Sequence, residues 1–103
     1  MGKEKSGLII YPEQRKIYRD RQEISLTTKE YDILCLLAAN RGQVLTYTQI
    51  YEKVWGSSHA GNEKIIRYYL CILRKKLNTV SPDEPFIIRC VRDVGYYFEV
   101  KSK

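Results

Sequence analysis

The chain has 103 residues, and 18 Lys and Arg residues outnumber 12 Asp and Glu residues, which leaves a formal net charge of +6. This length suits a single domain over residues 1–103, with its core at about 8–100. There is no bilayer-spanning apolar stretch, and the N-terminus lacks the apolar segment of a signal peptide. We therefore expect a cytoplasmic protein without a membrane partner, and the charge favours a polyanionic partner.

Three short segments open the chain. The β-prone runs at 8–11, 15–19 and 23–26 are separated by turn residues, a spacing typical of an antiparallel meander. Strands of this length do not form a stable domain alone, so the meander is expected to pack against helices.

Thr27 and Glu30 have the spacing of a capping box, in which each side chain bonds the backbone N–H of the other residue. The helix that follows is predicted to place apolar residues on one face and to end near Asn40-Arg41-Gly42, where Gly42 can adopt the left-handed conformation. The predicted apolar face consists of Tyr31, Leu34, Leu37 and Ala38.

A second capping box, Thr46 with Gln49, opens a second helix that should end near Trp55-Gly56, with Trp55 packed as a core or wedge residue. After a loop at 57–61, a third helix is predicted from about Asn62 to Asn78, followed by a surface loop at 79–85. Its predicted core-facing stripe is Ile66, Leu70, Leu73 and Leu77. Its opposite side is predicted to offer Lys64, Arg67, Tyr68, Cys71, Arg74 and Lys75.

The last segment predicts a hairpin, with β-prone runs at 86–91 and 96–100 around a tight turn that contains Gly95. Tyr96 and Phe98 are expected to close this hairpin onto the third helix. The order of elements predicts an α+β winged helix-turn-helix fold: an N-terminal antiparallel β-meander, three helices and a C-terminal β-hairpin wing. Because the third helix is basic, we expect it to face nucleic acid.

Three cysteines and one histidine limit the metal and redox chemistry available. Cys35, Cys71 and Cys90 form no C-x-x-C pair, so we interpret them as reduced, mostly buried thiols. A redox role for Cys71 is the less favoured alternative to an unreactive thiol. With His59 as the one histidine, a zinc site is not expected. Without a catalytic triad spacing or a phosphate loop, the sequence predicts neither a cofactor nor enzymatic activity.

Four ordered blocks carry a family resemblance: LTTKEYDIL at 26–34, VLTYTQIYEKVWG at 44–56, LRKKL at 73–77 and VRDVGYYF at 91–98. Over about residues 8–100, the chain resembles the OmpR/PhoB-type winged-helix effector domains of bacterial two-component response regulators. The resemblance implies sequence-specific binding of double-stranded DNA for transcriptional regulation. The third helix would lie in the major groove, and the wing would reach the minor groove with Arg92.

The resemblance also implies a set of contact residues. On the third helix these are Lys64, Ile65, Arg67, Tyr68, Cys71, Ile72, Arg74 and Lys75; on the wing they are Arg92, Val94 and Tyr96; and the phosphate contacts are Thr46, Tyr47 and Trp55. Phosphate contacts of this kind position the protein on the duplex and do not read its sequence.

The chain departs from the family pattern at several of these positions. Tyr47 replaces a common arginine, Cys71-Ile72 replaces an arginine pair, Arg67 stands at an acidic position, and Asp93 replaces the first glycine of the wing. The residues expected where the family reads bases are Lys64, Ile65, Tyr68 and Ile72. Isoleucines there could contact thymine methyl groups.

The resemblance implies partners as well as a function. Domains of this family bind direct repeats as head-to-tail pairs, so we expect a weak monomer alone and a dimer on DNA, with a receiver domain in a longer native chain. The alternative is a protein-interaction winged helix that contacts RNA polymerase or another regulator through Ile65, Tyr68 and Ile72.

Overall fold

The computed structural model describes residues 8–19, 21–57, 62–77 and 86–100, which form three helices and two three-stranded antiparallel sheets. The elements in chain order are β1 (Leu8–Tyr11), β2 (Lys16–Arg19), β3 (Gln22–Ile24), α1 (Thr28–Ala39), β4 (Leu45–Thr46), α2 (Tyr47–Trp55), α3 (Asn62–Leu77), β5 (Phe86–Val91) and β6 (Gly95–Val100). This order confirms the predicted winged helix-turn-helix. The predicted loop at 79–85 and most of that at 57–61 lie outside the described residues.

The N-terminal meander pairs in the order β1-β2-β3. Ile10, Ile17 and Ile24 are opposite one another across the three strands, and Ile17 is fully buried at the centre of this face. The third strand spans residues 22–24, so it ends two residues earlier than predicted. Arg21 has a φ of +72°, and this left-handed conformation makes the turn tight enough for Gln22 to pair with Arg19.

The predicted capping box at the start of α1 is confirmed. The Glu30 N–H donates to the Thr27 hydroxyl oxygen at 3.3 Å, and the Thr27 N–H donates to the Glu30 carboxylate at 3.0 Å. The same carboxylate oxygen accepts from Lys76 Nζ on α3 at 2.7 Å, and the Glu30 side chain is only 4% exposed. Glu30 therefore joins the start of α1 to the end of α3, a link between distant segments that no local pattern predicts.

Substituting alanine for Glu30 should lower the free energy of unfolding by about 2 kcal/mol, because the cap and the buried charge pair are lost together. The loss should stay below that of a fully buried pair, since Lys76 is 36% exposed and can be hydrated. Denaturant unfolding would measure it. Glu52→Ala, at an exposed position on α2, is the control and should change stability by less than about 0.5 kcal/mol. Equal effects would contradict the assigned role.

The end of α1 is confirmed within the predicted stretch, but its cap is a different residue from the one expected. The helix stops at Ala39, and the Asn40 side-chain amide donates to the Leu36 carbonyl at 2.8 Å. Gly42 does have a left-handed φ of +83°, but it lies two residues beyond the cap. An asparagine that satisfies a terminal carbonyl thus ends the helix before the glycine is reached. On the core face, Tyr31, Leu34 and Leu37 are buried as predicted and Ala38 is half-buried.

The core lies between the three helices and the two sheets. The stripe predicted on α3 is confirmed, since all four of its side chains are fully buried. The largest fully buried side chains among the described residues are Ile17, Ile33, Leu34, Leu37, Ile50, Ile66, Leu70, Leu73, Leu77 and Ile88. One continuous apolar cluster therefore fixes α3 by one side and leaves its opposite side to solvent.

The C-terminal sheet contains a strand that was not predicted. The two-residue strand β4 pairs with β6, so that β6 lies at the centre of the order β4-β6-β5. At the hairpin turn, Asp93 adopts the left-handed conformation (φ +64°), whereas Gly95 is the first residue of β6. Gly95 is needed for another reason. A Cβ atom there would lie 1.8 Å from the Leu45 carbonyl oxygen.

The cysteines were wrongly predicted to be mostly buried. Cys35 is half-buried, Cys71 and Cys90 are exposed, and all three are free thiols. Cys71 is exposed because it lies on the side of α3 opposite the core stripe. Within the described ranges, no group of His, Cys, Asp and Glu side chains could hold a metal ion, and no helix is long and apolar enough to cross a membrane.

Candidate nucleic-acid interface

Helix α3 presents a solvent-facing stripe directly opposite its core stripe. Lys64, Tyr68, Cys71 and Lys75 follow one another at intervals of four, three and four residues, and all are exposed. Tyr68 is 63% exposed, more than any other large apolar side chain in the described part of the chain. This stripe offers two ammonium groups, a phenol and a thiol to a partner.

The two flanks of the stripe differ in chemistry. On the wing side, Arg67 and Arg74 join Cys71, Lys75 and Tyr96 around a shallow groove of about 240 Å³. Arg74 is half-buried, and its Nε atom is buried without a hydrogen-bond partner. Three cationic side chains around one groove make this flank suitable for an anionic partner.

On the other flank, Ile65 and Ile72 are half-buried, and Ile65 packs against the core cluster. A side chain that is already in contact with the core has fewer atoms left for a partner. These two predicted positions therefore border the stripe, and the exposed Tyr68 lies between them along the helix.

The turn of the wing lies at residues 92–94, between β5 and β6. Arg92 is exposed, and Val94 is 42% exposed. Tyr96 is only 5% exposed and packs edge-on against Tyr47, with 5.8 Å between the ring centroids. Burial raises the pKa of Tyr96 to about 12, so its hydroxyl stays protonated at neutral pH. The expectation that Tyr96 is a core residue is confirmed, and little of it remains for contact with a partner.

The start of α2 is largely occupied by contacts within the protein. Three of its four first-turn N–H groups have acceptors: Thr46 N–H donates to the Gln49 side chain, Gln49 N–H to the Thr46 hydroxyl, and Tyr47 N–H to the Val94 carbonyl at 3.2 Å. Tyr47 is only 6% exposed, and its hydroxyl is buried without a hydrogen-bond partner. Of the two predicted contacts here, Tyr47 is therefore buried, whereas Thr46 is half-buried.

Trp55, at the end of α2, lies between aromatic neighbours. Its ring stacks on Tyr51 at 4.8 Å and meets the Tyr69 ring edge-on at 5.3 Å. Lys29 Nζ lies 5.0 Å from the Trp55 ring centroid and donates to the Val54 carbonyl at 3.2 Å. The half-buried ring therefore acts as a wedge between α2 and α3, as the sequence predicted, with one part open to solvent.

Two acidic residues beside the cationic face were not singled out as functional from the sequence. Glu63 lies one turn before Arg67 on α3, and its carboxylate accepts from the Arg67 guanidinium at 2.6 and 2.9 Å. This hydrogen bond raises the pKa of Arg67. Asp93 of the wing turn lies 3.8 Å from the same guanidinium. The i,i+4 spacing could have identified Glu63, whereas the Asp93 contact depends on the fold.

Comparison with known proteins agrees with this geometry. Residues 21–98 match the family described as "Transcriptional regulatory protein, C terminal". The chain is 37% identical over 95 residues to the transcriptional regulatory protein SrrA of Staphylococcus aureus, a match that covers 92% of this chain and 39% of that protein. The chain thus spans about two fifths of the length of the relatives that it matches.

Solved structures show the same fold. The DNA-binding domain of Klebsiella pneumoniae RstA, in complex with the RstA box, has a TM-score of 0.79 at 29% identity, and the match covers 92% of this chain and 94% of that one. The DNA-binding domain of Escherichia coli CpxR has a TM-score of 0.80 at 26% identity and covers 96% of both chains. The chain therefore belongs to the family of OmpR/PhoB-type C-terminal DNA-binding domains of transcriptional regulators, and it is a winged-helix domain for DNA-binding transcription regulation.

Proposed function

We propose that this domain binds a specific double-stranded DNA site with α3 in the major groove and the wing turn in the adjacent minor groove. The proposal depends on one observation above all: the exposed stripe of α3, the cationic groove beside it and the wing turn form a single continuous face. Lys64 and Tyr68 are the proposed base-edge contacts. Arg74, Lys75 and the Thr46 hydroxyl are the proposed phosphate contacts.

Charge and exposure support this assignment. A duplex carries one phosphate charge per roughly 1.7 Å, and its grooves favour cationic side chains on a convex element such as a helix. The opposite face of α3 is fully buried, so the helix can offer a duplex only this one side. The buried Tyr47 and Tyr96 are left out of the proposed interface.

Selection of bound sites from a random duplex pool would test the proposal. We expect a direct repeat with about one helical turn between half-site centres. Binding measured between 50 and 200 mM salt should weaken steeply, with each phosphate contact adding about 0.9 to the log–log slope. Failure to enrich any sequence, although the protein binds random duplex, would contradict specific recognition.

Substituting alanine for Arg92 should weaken binding to the selected site by about tenfold, since an arginine in a narrow minor groove meets an enhanced negative potential. Titration at low salt would measure the loss, which should be smaller on sites whose flanking A·T pairs are replaced by G·C. Unchanged affinity would show that the wing turn does not enter the minor groove. Arg21→Ala, at an exposed arginine with a left-handed φ in the N-terminal sheet, is the control for charge.

A second candidate is a protein-interaction winged helix, which the 63% exposure of Tyr68 favours. An aromatic ring of this exposure between two half-buried isoleucines is a suitable contact for RNA polymerase or another regulator. Salt dependence separates the two candidates, since a protein contact should lose far less affinity between 50 and 200 mM salt than a phosphate contact.

We further propose that the domain is a weak monomer that pairs head-to-tail on a direct repeat and that it works with a receiver domain as part of a two-component response regulator. The match to 39% of the length of SrrA supports a role within a longer protein. A receiver domain that dimerises would hold two DNA-binding domains close together, which raises the effective concentration of the second domain once the first has bound DNA. Sedimentation with and without a two-half-site duplex would test the pairing, and a dimer without DNA would contradict it.

A further inference from the structure

Two departures from the family pattern meet in the structure. Arg67 on α3 and Asp93 in the wing turn both differ from the pattern that the family resemblance implies at these positions. They are 26 positions apart in the chain, yet Arg67 Nη2 lies 3.8 Å from Asp93 Oδ1. A cation of α3 and an anion of the wing turn thus face each other.

The Arg67 guanidinium is held by three groups at once. It donates to the Glu63 carboxylate at 2.6 Å, lies within ion-pair range of Asp93, and is 5.3 Å from the centroid of the Tyr47 ring. A guanidinium can serve all three, because its planar fork bonds carboxylates while its face lies over an aromatic ring. These contacts place the guanidinium between α3 and the wing turn.

The base of the wing is already fixed by the backbone. Gly95 pairs with Thr46 and lies against the Leu45 carbonyl, and the Tyr47 N–H donates to the Val94 carbonyl. Asp93 adds a side-chain link on the α3 side of the same turn. Arg92, the exposed cation of the turn, is the direct neighbour of Asp93.

We propose that Arg67 is a positioning residue that holds the wing turn to α3 through Asp93 and so fixes Arg92 relative to the exposed stripe of α3. This inference rests on the proposed function, since the distance between α3 and Arg92 matters only if both contact one duplex. The link makes recognition in the two grooves interdependent. The link between Arg67 and Asp93 contributes more to discrimination between DNA sequences than to affinity for DNA in general.

The ion pair is exposed in the free protein, with side-chain exposures of 46% for Arg67 and 78% for Asp93. A pair of this kind is weak in water, because solvent and salt screen it. A duplex docked on this face excludes that solvent and strengthens the attraction. The link therefore acts mainly in the bound state, where the position of the wing is read.

A double-mutant cycle tests this. Arg67→Met keeps the aliphatic stem and the helix propensity, and Asp93→Asn keeps a residue that tolerates a positive φ. The quantity measured is the ratio of affinities for the selected site and for random duplex, which cancels the general loss of charge. Each single substitution should lower the ratio by about threefold, and the double variant should lower it no further than either single variant.

The matched control is Glu99→Gln on the same hairpin, which removes one carboxylate from an ion pair with Arg89 remote from the turn. It should leave the ratio unchanged. Asp93→Asn could instead tighten binding to the selected site and to random duplex by the same factor, whether Arg67 or methionine stands at position 67. That result would mean that the carboxylate acts only by repelling phosphates, and the inference would be wrong. If the unaltered protein binds no duplex in dilute buffer, the proposed function itself fails.

Discussion

Replacing Arg74 and Lys75 by glutamine should weaken binding to every duplex by about 10- to 100-fold at 0.1 M salt. Both side chains line the groove between α3 and the wing, and among the described residues neither has an acidic partner that would have to be released. If each neutralises one phosphate, the log–log salt slope should fall by about 1.8, which is twice the value for a single contact. Titrations of a selected site and of random duplex across 50 to 200 mM salt would measure both quantities.

The control for this experiment is a pair of lysines that carry the same charge elsewhere. Lys16 on β2 and Lys53 on α2 are exposed and lie away from the groove. Replacing both by glutamine should change affinity by much less than replacing Arg74 and Lys75. A loss confined to the selected site would mean that Arg74 and Lys75 read bases, and equal losses from both pairs would mean that only net charge matters.

Gly95→Ala should lower the free energy of unfolding by about 3 kcal/mol or more. The added Cβ would lie 1.8 Å from the Leu45 carbonyl oxygen and 2.8 Å from the Thr46 Cα, both backbone atoms of β4. Because backbone atoms cannot rotate away as a side chain can, β4 must separate from β6. For a domain of this size, the melting temperature should fall by about 12 °C or more.

Gly56→Ala is the matched control, since its Cβ would meet no atom within 4 Å. Its φ of +81° imposes a backbone cost of about 1 kcal/mol, without any steric contact. Thermal unfolding of the two variants therefore separates close packing from backbone conformation. If Gly56→Ala were the more destabilising of the two, the assigned role of the β4–β6 contact would be wrong.

Any folded Gly95→Ala protein should also discriminate poorly between DNA sites, because its wing is displaced.

Most of the helical architecture could be predicted from short-range patterns. The two capping boxes, the buried stripe of α3 and the hairpin are encoded by residues within a few positions of one another, where backbone geometry fixes which side chains are neighbours. The exposed side of α3 follows from the same periodicity. The sequence alone therefore predicted the exposed stripe of α3, including Tyr68 and Cys71.

Contacts between distant segments could not be predicted in this way. The strand β4 is two residues long and exists because β6 lies beside it, so no periodicity of its own announces it. Tyr47 looked like an accessible residue at a helix start, yet the Tyr96 ring and the wing turn cover it. The exposed position of Cys90 was likewise misjudged, because the average burial of a residue type says little about a particular position.

The local order of residues thus specified a winged helix with one basic helix face, because helix and strand periodicities act over a few residues at a time. The three-dimensional arrangement settled which of the candidate side chains reach solvent and how the wing is tied to α3. Two ion pairs join different elements: Glu30 with Lys76, and Arg67 with Asp93. Their meeting depends on how the helices and sheets pack around the shared core, and no short window of sequence contains that information.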